Sequence, residues 1–417
     1  MAQSDRQYDL IVLGATGYTG KYTCEHVATS LPTDLRWAVA GRSQSKLETL
    51  VQDLKSLNGD RTQPAIEIAQ LQKDDLSVLA SKTKVLISTI GPYHKYGTPV
   101  FEACAEAGTH YLDCTGEVPW CYDMINKYEA TAKRTGAIMI SQAGVESVPS
   151  DMMVWALASH IKHALGPDVR LREVVNSVYA MKAQASGGTL DTVLTLLDSY
   201  PLSHLAESGK PWALAPVKPQ NKMAGRSLYE KITGLRYVPD LGQLTTSFQA
   251  AAEVPIVNRS WALLDQGNYY GQNFHVSILM RTRNIFTGFV LHLAITIGLV
   301  ALALPPVRWF LRHFVYQPGE GPSKESTQDD HIEWRGIATV DVSYPNNPKR
   351  AFGRIRWQGS MYHLTGVTLA EAAITLLRDK TKAHEIGGGV MTPATLGAPY
   401  LERLQKAGLK AEFKMLP

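Results

Sequence analysis

A doubly wound parallel α/β sheet, joined to a second α+β domain that carries a hydrophobic membrane-associating segment, is the architecture predicted by this 417-residue sequence. Three observations carry that reading. A short apolar strand runs directly into Gly14, Gly17 and Gly20; strand-like and helix-like runs then alternate as far as Ser141; and Phe286 to Leu304 is an apolar run without a formal charge. Alternation of this kind is what a parallel sheet with helical crossovers requires.

Tyr8 to Leu13 reads as the first strand and Lys21 to Ala28 as the helix behind it, so I-V-L-G-A-T-G-Y-T-G from Ile11 to Gly20 sits at a strand-to-helix turn. In a Rossmann-type sheet, Gly14 allows the tight turn, Gly17 lets the main chain approach a pyrophosphate, and Gly20 lets the helix pack on the strand. The N–H groups at that helix start then face the anion. A second strand, Arg36 to Ala40, ends at Gly41-Arg42-Ser43, with Lys46 shortly after. An acidic residue at such a strand end would bind the 2′-hydroxyl of NAD, whereas two cations and a hydroxyl suit a 2′-phosphate. The expected cofactor is NADP(H), held by Gly14, Ala15, Thr16, Gly17, Tyr18, Thr19, Gly20, Arg42, Ser43 and Lys46.

Leu47 to Leu57 and Leu76 to Ser81 follow as helices around a strand at Ile66 to Ala69, and Lys84 to Ile90 is a buried strand leading into Gly91-Pro92-Tyr93. Thr98 to Ala107 and Val118 to Thr135 read as helices, and His110 to Cys114 and Ala137 to Ser141 as strands, with the parallel sheet ending there. Ligands of such sheets lie beyond the carboxyl ends of the strands, which puts Thr89, Ile90 and Gly91 beside the cofactor. A reduction by hydride also needs a proton, and Tyr93 and His94 on the same loop are the candidate catalytic donors. Packing of Tyr93 over the cofactor is the equal alternative. Glu117 is expected to fix the Asp113 to Gly116 turn.

The expected domain plan is 1–149 for cofactor binding, 150–283 for the first part of a substrate domain, 284–316 for the anchor, 317–330 for a hydrophilic linker, and 331–417 for the part that completes the substrate domain. Asp151 to His163 reads as a helix and Leu171 to Tyr179 as a strand; Pro201 to Tyr237 is irregular. Ser186, Gly187, Gly188 and Thr189 open a helix whose N–H groups could contact a substrate carboxylate, phosphate or thioester oxygen, although helix capping explains them equally well. Trp334 to Val342 and Arg350 to Trp357 alternate like paired strands around Tyr344-Pro345-Asn346-Asn347, and Thr368 to Asp379 is helical.

Phe286 to Leu304 is long enough to cross a bilayer. Cations and an indole flank it (Arg281 and Arg283 before; Arg308, Trp309 and Arg312 after), while Pro305 and Pro306 could turn the chain back. A monotopic or hairpin anchor is the favoured reading, with burial in the protein or in a homodimer interface as the alternative. The expected location is a cytosol-facing membrane or lipid droplet, or the cytoplasm if the segment is buried. A net charge of +4 with 19% charged residues gives no argument for nucleic acid. Cys24, Cys104, Cys114 and Cys121 have no metal-ligand spacing, so reduced thiols and no metal are expected.

These residues together resemble the saccharopine dehydrogenase-like oxidoreductase family, including the trans-acting enoyl reductases. The resemblance is carried by Gly14 to Gly20, Ala40 to Ser43, Gly91 to Tyr93 with Gly97, D-C-T-G-E at Asp113 to Glu117, G-V-E-S-V-P-S-D at Gly144 to Asp151, Ser186 to Thr189, and G-G-V-M-T-P-A at Gly388 to Ala394. It implies an NADP-type Rossmann domain, an α+β second domain and, as in animal members, lipid-droplet association through a hydrophobic segment. The implied reaction is NADPH-dependent reduction of an α,β-unsaturated polyketide or lipid-like thioester, free or on a carrier protein. Many members carry a T-G-D-P-G-Y-like stretch near the C-terminus, expected near the second-domain pocket; here Thr365-Gly366 is followed by Val367-Thr368-Leu369. Two other readings stand beside this one: a saccharopine-type imine or amino acid dehydrogenase, which needs convergent arginines such as Arg226, Arg236 and Arg259, and a cofactor-binding lipid-droplet protein with little catalysis.

Overall fold

The structure, a computed structural model, describes residues 6–184, 187–221, 226–311, 321–341 and 348–417, without the side chains of 187–190 and 193. The first half alternates as its apolar pattern requires: β1 (Tyr8–Leu13), α1 (Tyr18–Ser30), β2 (Trp37–Gly41), α2 (Gln44–Leu57), β3 (Ala65–Ile68), α3 (Lys73–Ser81) and β4 (Thr83–Ser88). A single turn, α4 (Tyr93–Tyr96), leads to α5 (Thr98–Ala107), β5 (His110–Asp113), α6 (Val118–Thr135), β6 (Ile138–Ile140) and α7 (Val148–Leu165). The central strands β1, β2, β4 and β5 are almost entirely buried, as strands covered on both faces must be.

The second half contains β7 (Leu171–Lys182), α8 (Gly187–Ser199), α9 (Leu202–Ser208), α10 (Leu228–Thr233), β8 (Arg236–Val238), β9 (Gly242–Thr246), α11 (Ala250–Leu263) and β10 (His275–Arg281). Then come α12 (Ile285–Leu302), α13 (Pro305–Leu311), β11 (His331–Val340), β12 (Arg350–Gln358), α14 (Met361–Arg378), α15 (Lys382–Ile386), β13 (Gly389–Met391), α16 (Gly397–Lys406) and β14 (Lys410–Leu416). The predicted turn at Tyr344 to Asn347 lies outside the described residues.

Two seven-stranded sheets result, ordered β13-β6-β5-β4-β1-β2-β3 and β14-β12-β11-β7-β10-β9-β8. The first is wholly parallel, and its order reverses between β1 and β4, the place where such sheets bind ligands. The second is mixed: β7 and β10 are parallel and the remaining pairs antiparallel. Helix α7 packs into it at a shallow place where Gly336 and Gly353 face Met153; a Cβ at either position would approach the methionine side chain to 2.9 or 2.6 Å.

Several expectations need correction. The parallel sheet does not end at Ser141, because Gly389, Val390 and Met391 pair in parallel with Ile138, Met139 and Ile140. Residues 331–417 therefore do not only complete the second domain. Helix α14 returns to the first sheet and crosses α1 closely: a Cβ on Gly366 would come within 2.7 Å of the main chain at Tyr22 and Thr23. Thr365-Gly366 thus lies in a packed helix interface and not at a second-domain pocket, and the Thr365 hydroxyl accepts from the Val145 N–H at 3.3 Å. The described part of the supposed linker is also tied down: the Tyr18 hydroxyl donates to the Pro322 carbonyl at 2.6 Å, and Lys324 pairs with Glu25 at 2.7 Å. Pro201 to Tyr237, read as irregular, contains the short helices α9 and α10.

Helix α12 leans on β9 along one narrow stripe. The Thr245 hydroxyl donates to the Gly288 carbonyl at 2.8 Å, and Thr246 Oγ1 lies 2.9 Å from His292 Nδ1, which explains a histidine and a glycine within an apolar run. Away from that stripe the helix is open: Phe286 is 75% and Val300 65% exposed, and Trp309 and Phe310 on α13 are exposed too. Arg308 on α13 turns inward instead, pairing with Asp198 of α8 at 2.6 Å.

Candidate cofactor and active site

At the carboxyl ends of the first sheet lies a cleft of about 560 Å³. Its wall runs from Gly41, Arg42 and Ala69 past Gly14 and Thr16 to Thr19, then Thr89 to Gly91, and ends at Cys114 to Glu117 and Glu146. Tyr93 and Tyr96 of α4, Thr192 and Leu196 of α8 and Tyr362 of α14 also line it.

The glycine turn has the geometry that its spacing predicts. Gly14 adopts φ +83°, and a Cβ there would lie 2.8 Å from both Thr89 Oγ1 and Ile90 Cγ1. The Thr89 hydroxyl donates to the carbonyls of Leu13 and Gly14 at 3.1 Å, locking the β4 end against the β1 end. Gly17 caps α1 with no side-chain hydrogen bond, and the first turn holds no acidic residue, so main-chain N–H groups are presented without a competing carboxylate. At Gly20 a side chain would strike the Gly14 carbonyl, which is the close helix-to-strand contact expected there. Arg42 is exposed at the β2 end of the cleft.

Of the sequence-predicted cofactor residues, Gly14, Thr16, Gly17, Tyr18, Thr19, Arg42, Thr89, Ile90 and Gly91 line the cleft; Ala15, Gly20, Ser43 and Lys46 do not. Ala15 is fully buried behind the turn, Ser43 lies 3.3 Å from Ser45 Oγ, and Lys46 is exposed on α2. Ser186 lies outside the described residues. Gly187 to Thr189 begin α8, and it is the middle of this helix that meets the cleft.

The two candidate proton donors are both held by the protein. The Tyr93 hydroxyl is buried, donates to the Ser88 carbonyl at 2.9 Å and lies 3.3 Å from Cys114 Sγ; burial pushes its pKa well above the usual phenol value. His94 does not line the cleft. Its Nδ1 lies 2.6 Å from Glu117 Oε2 and its Nε2 lies 3.4 Å from Thr195 Oγ1, with the side chain only 2% exposed. The Tyr93 ring lines the cleft with its hydroxyl turned to the Ser88 carbonyl, and the His94 ring lies behind the wall against Glu117.

Glu117 also differs from its expected role. Its oxygens accept from the N–H groups of Tyr93 and His94 at 2.7 and 2.8 Å, fixing the loop after β4. The turn after β5 is held by Asp113, which accepts from the N–H groups of Thr115 and Gln142 and from the Ser141 hydroxyl, each at 3.0 Å. Burial lifts the Asp113 carboxyl to about 6 despite those donors, and lifts the Cys114 thiol to about 12, far from a reactive thiolate. Sequence reasoning missed Glu146, which follows the β6 end just as Glu117 follows β5; applying the strand-end rule to β6 would have found it.

Arg236 and Arg259 do not converge on the cleft. Arg236 pairs with Glu173 at 2.6 Å, and buried Arg259 pairs with Glu129 at 2.7 Å while donating to the Val390 carbonyl. Among the described residues no group of three His, Cys, Asp or Glu side chains is placed to hold a metal ion.

The residues fit a phosphorylated dinucleotide: a cradle at Gly14 that a side chain would fill, an uncapped helix start, and a guanidinium at the end of the second strand. When bound, such a cofactor supplies hydride, and the protein supplies orientation and a proton. Residues 10–140 match the saccharopine dehydrogenase NADP binding domain. Over 438 residues the chain is 30% identical to a candidate trans-acting enoyl reductase of Mycobacterium tuberculosis, covering 100% of both proteins. The trans-acting enoyl reductase of Mycobacterium leprae is 29% identical over 432 residues, with 98% of each covered. A solved amine dehydrogenase from Mycobacterium smegmatis aligns over 94% of this chain and 97% of its own, at a TM-score of 0.38 and 12% identity. The chain therefore belongs to the saccharopine dehydrogenase-like oxidoreductase family that includes the trans-acting enoyl reductases, and is an NADP(H)-dependent oxidoreductase.

Proposed function

We propose that this chain is an NADPH-dependent enoyl reductase that saturates the carbon–carbon double bond of a polyketide or lipid-like α,β-unsaturated thioester, free or carrier-bound, at a membrane or lipid-droplet surface. The observation that carries the reaction type is full-length similarity to proteins named for it. Arg236 and Arg259 are committed to Glu173 and Glu129, and none of Arg226, Arg236 and Arg259 lines the cleft, which speaks against an imine-forming dehydrogenase of dicarboxylic amino acids. The open apolar face of α12 supports a lipid surface, because its one docked stripe leaves the helix lying against the body and not free to cross a bilayer alone.

Chemistry in the cleft asks three things of the protein: to hold the cofactor's phosphates at Gly14 to Thr19 and Arg42, to keep the Thr89 to Tyr93 loop rigid through Glu117, and to deliver a proton after hydride addition. The direct test is NADPH oxidation followed with a series of straight and branched trans-2-enoyl thioesters. Turnover that rises with acyl length is expected. Oxidation with another substrate class and none with any enoyl thioester would overturn the reading, and tight NADPH binding without turnover on any substrate would favour a non-catalytic lipid-surface protein.

A further inference from the structure

Tyr93, His94 and Glu117 are committed to one another and to main chain, yet the cleft wall holds one more acid. Glu146 stands just beyond β6, with its carboxylate over Gly116. A Cβ on that glycine would meet Glu146 Oε2 at 2.0 Å, so the bare Gly116 main chain gives the carboxylate its room. Glu146 lines the cleft and makes no hydrogen bond or ion pair with another described residue, unlike Glu117 on the same wall. Beneath it, Glu253 of α11 is fully buried beside Ser150, with neither oxygen in a hydrogen bond of ordinary geometry among the described residues.

We propose that Glu146 is the proton donor of the reaction, delivering its carboxyl proton to the substrate carbon adjacent to the thioester; the assignment rests on the enoyl-reductase reading above. Addition of hydride to the β-carbon leaves an enolate. Its electron pair takes the proton at the α-carbon, so that the Glu146 O–H bond breaks, a C–H bond forms, and the carboxylate is reprotonated by water through the cleft mouth. The surroundings favour an acid that is uncharged before this step. Burial raises the Glu146 pKa above the usual carboxylate value, and the charge of Glu117 raises it further. The other titratable groups that feel its charge are the Cys114 thiol and Glu253, both pushed up, Glu253 to about 8.

The test uses the full chain loaded with NADPH and a series of trans-2-enoyl-CoA thioesters. E146Q is expected to lower kcat by roughly 10²- to 10⁴-fold, the usual worth of a general acid. E146D is expected to recover part of that loss, and NADPH affinity by fluorescence titration to stay within roughly threefold. A measurement free of turnover accompanies it: the infrared carboxyl band lost in E146Q should titrate above the ordinary glutamate value of about 4.3. Wild-type turnover retained by E146Q, or a band titrating at or below that value, overturns the assignment alone. A wild-type protein that consumes no NADPH with any of these thioesters overturns the enoyl reading and the assignment with it.

Discussion

Cofactor choice is expected to turn on Arg42, because it is the cation at the β2 end that lines the cleft while Lys46 faces solvent. A charge-assisted hydrogen bond contributes about 1.5–3 kcal/mol. Arg42→Ala should therefore weaken NADPH binding by roughly 10- to 100-fold and leave NADH nearly unchanged, as fluorescence titration of both would report. Equal losses for the two nucleotides would remove Arg42 from the 2′-phosphate. Glu117 poses a different question, since it accepts from two main-chain N–H groups and from His94 Nδ1 within a buried loop. Glu117→Gln should lower unfolding free energy by about 1–3 kcal/mol, visible in urea titration. The glycines of the cofactor turn and Arg42 were readable in sequence because strand-to-helix geometry leaves few residue choices there. The duties of Tyr93, His94 and Glu117 were not, because hydrogen bonds between loops far apart in the chain leave no periodic trace.

Elements of the first sheet were legible for a related reason: β1, β4 and the helices between them are long, strongly patterned and local. Helix α14 was only half visible. Its buried first turns contain His363, Thr365, Gly366 and Thr368, a polar run that looks like loop until α1 is laid across it. Gly366→Ala should drive a methyl into the Tyr22 to Thr23 main chain and cost about 1–3 kcal/mol, read as a lower Tm. Helix α12 carries the opposite signature, apolar all round with little of it covered. Each exposed phenylalanine inserted into lipid contributes roughly 1.5–3 kcal/mol. Replacing Phe286 and Phe289 by Ser should abolish flotation with phosphatidylcholine vesicles while NADPH affinity persists; unchanged flotation would shift the surface elsewhere.

For the molecule as a whole, one buried carboxylate joins distant parts of the chain. Asp151 on α7 accepts from the Ser260 hydroxyl of α11 at 2.6 Å and from the Ala394 N–H just after β13 at 2.8 Å. Burial raises its pKa to about 7. A carboxyl raised in the folded state keeps its proton where the unfolded chain, at about 3.9, has released it. Its contribution to stability is therefore full below about pH 4 and is lost as pH climbs through 7. Unfolding free energy should fall across that window, and Asp151→Asn should flatten the fall; an unchanged slope would assign the pH dependence to other groups. Long-range closures of this kind, between residues 151, 260 and 394, are where sequence reading ran out, and the domain plan erred at the same place.

Strand β13 has a consequence for how the protein is made. The nucleotide-binding sheet takes its edge strand beside β6 from residues 389–391, so a nascent chain leaving the ribosome carries an open β6 flank until about 250 further residues have been made. A fragment ending at Pro149 would leave that flank bare for good. Such a piece should gather into aggregates when expressed alone, and adding the missing segment back as a fused peptide should restore solubility.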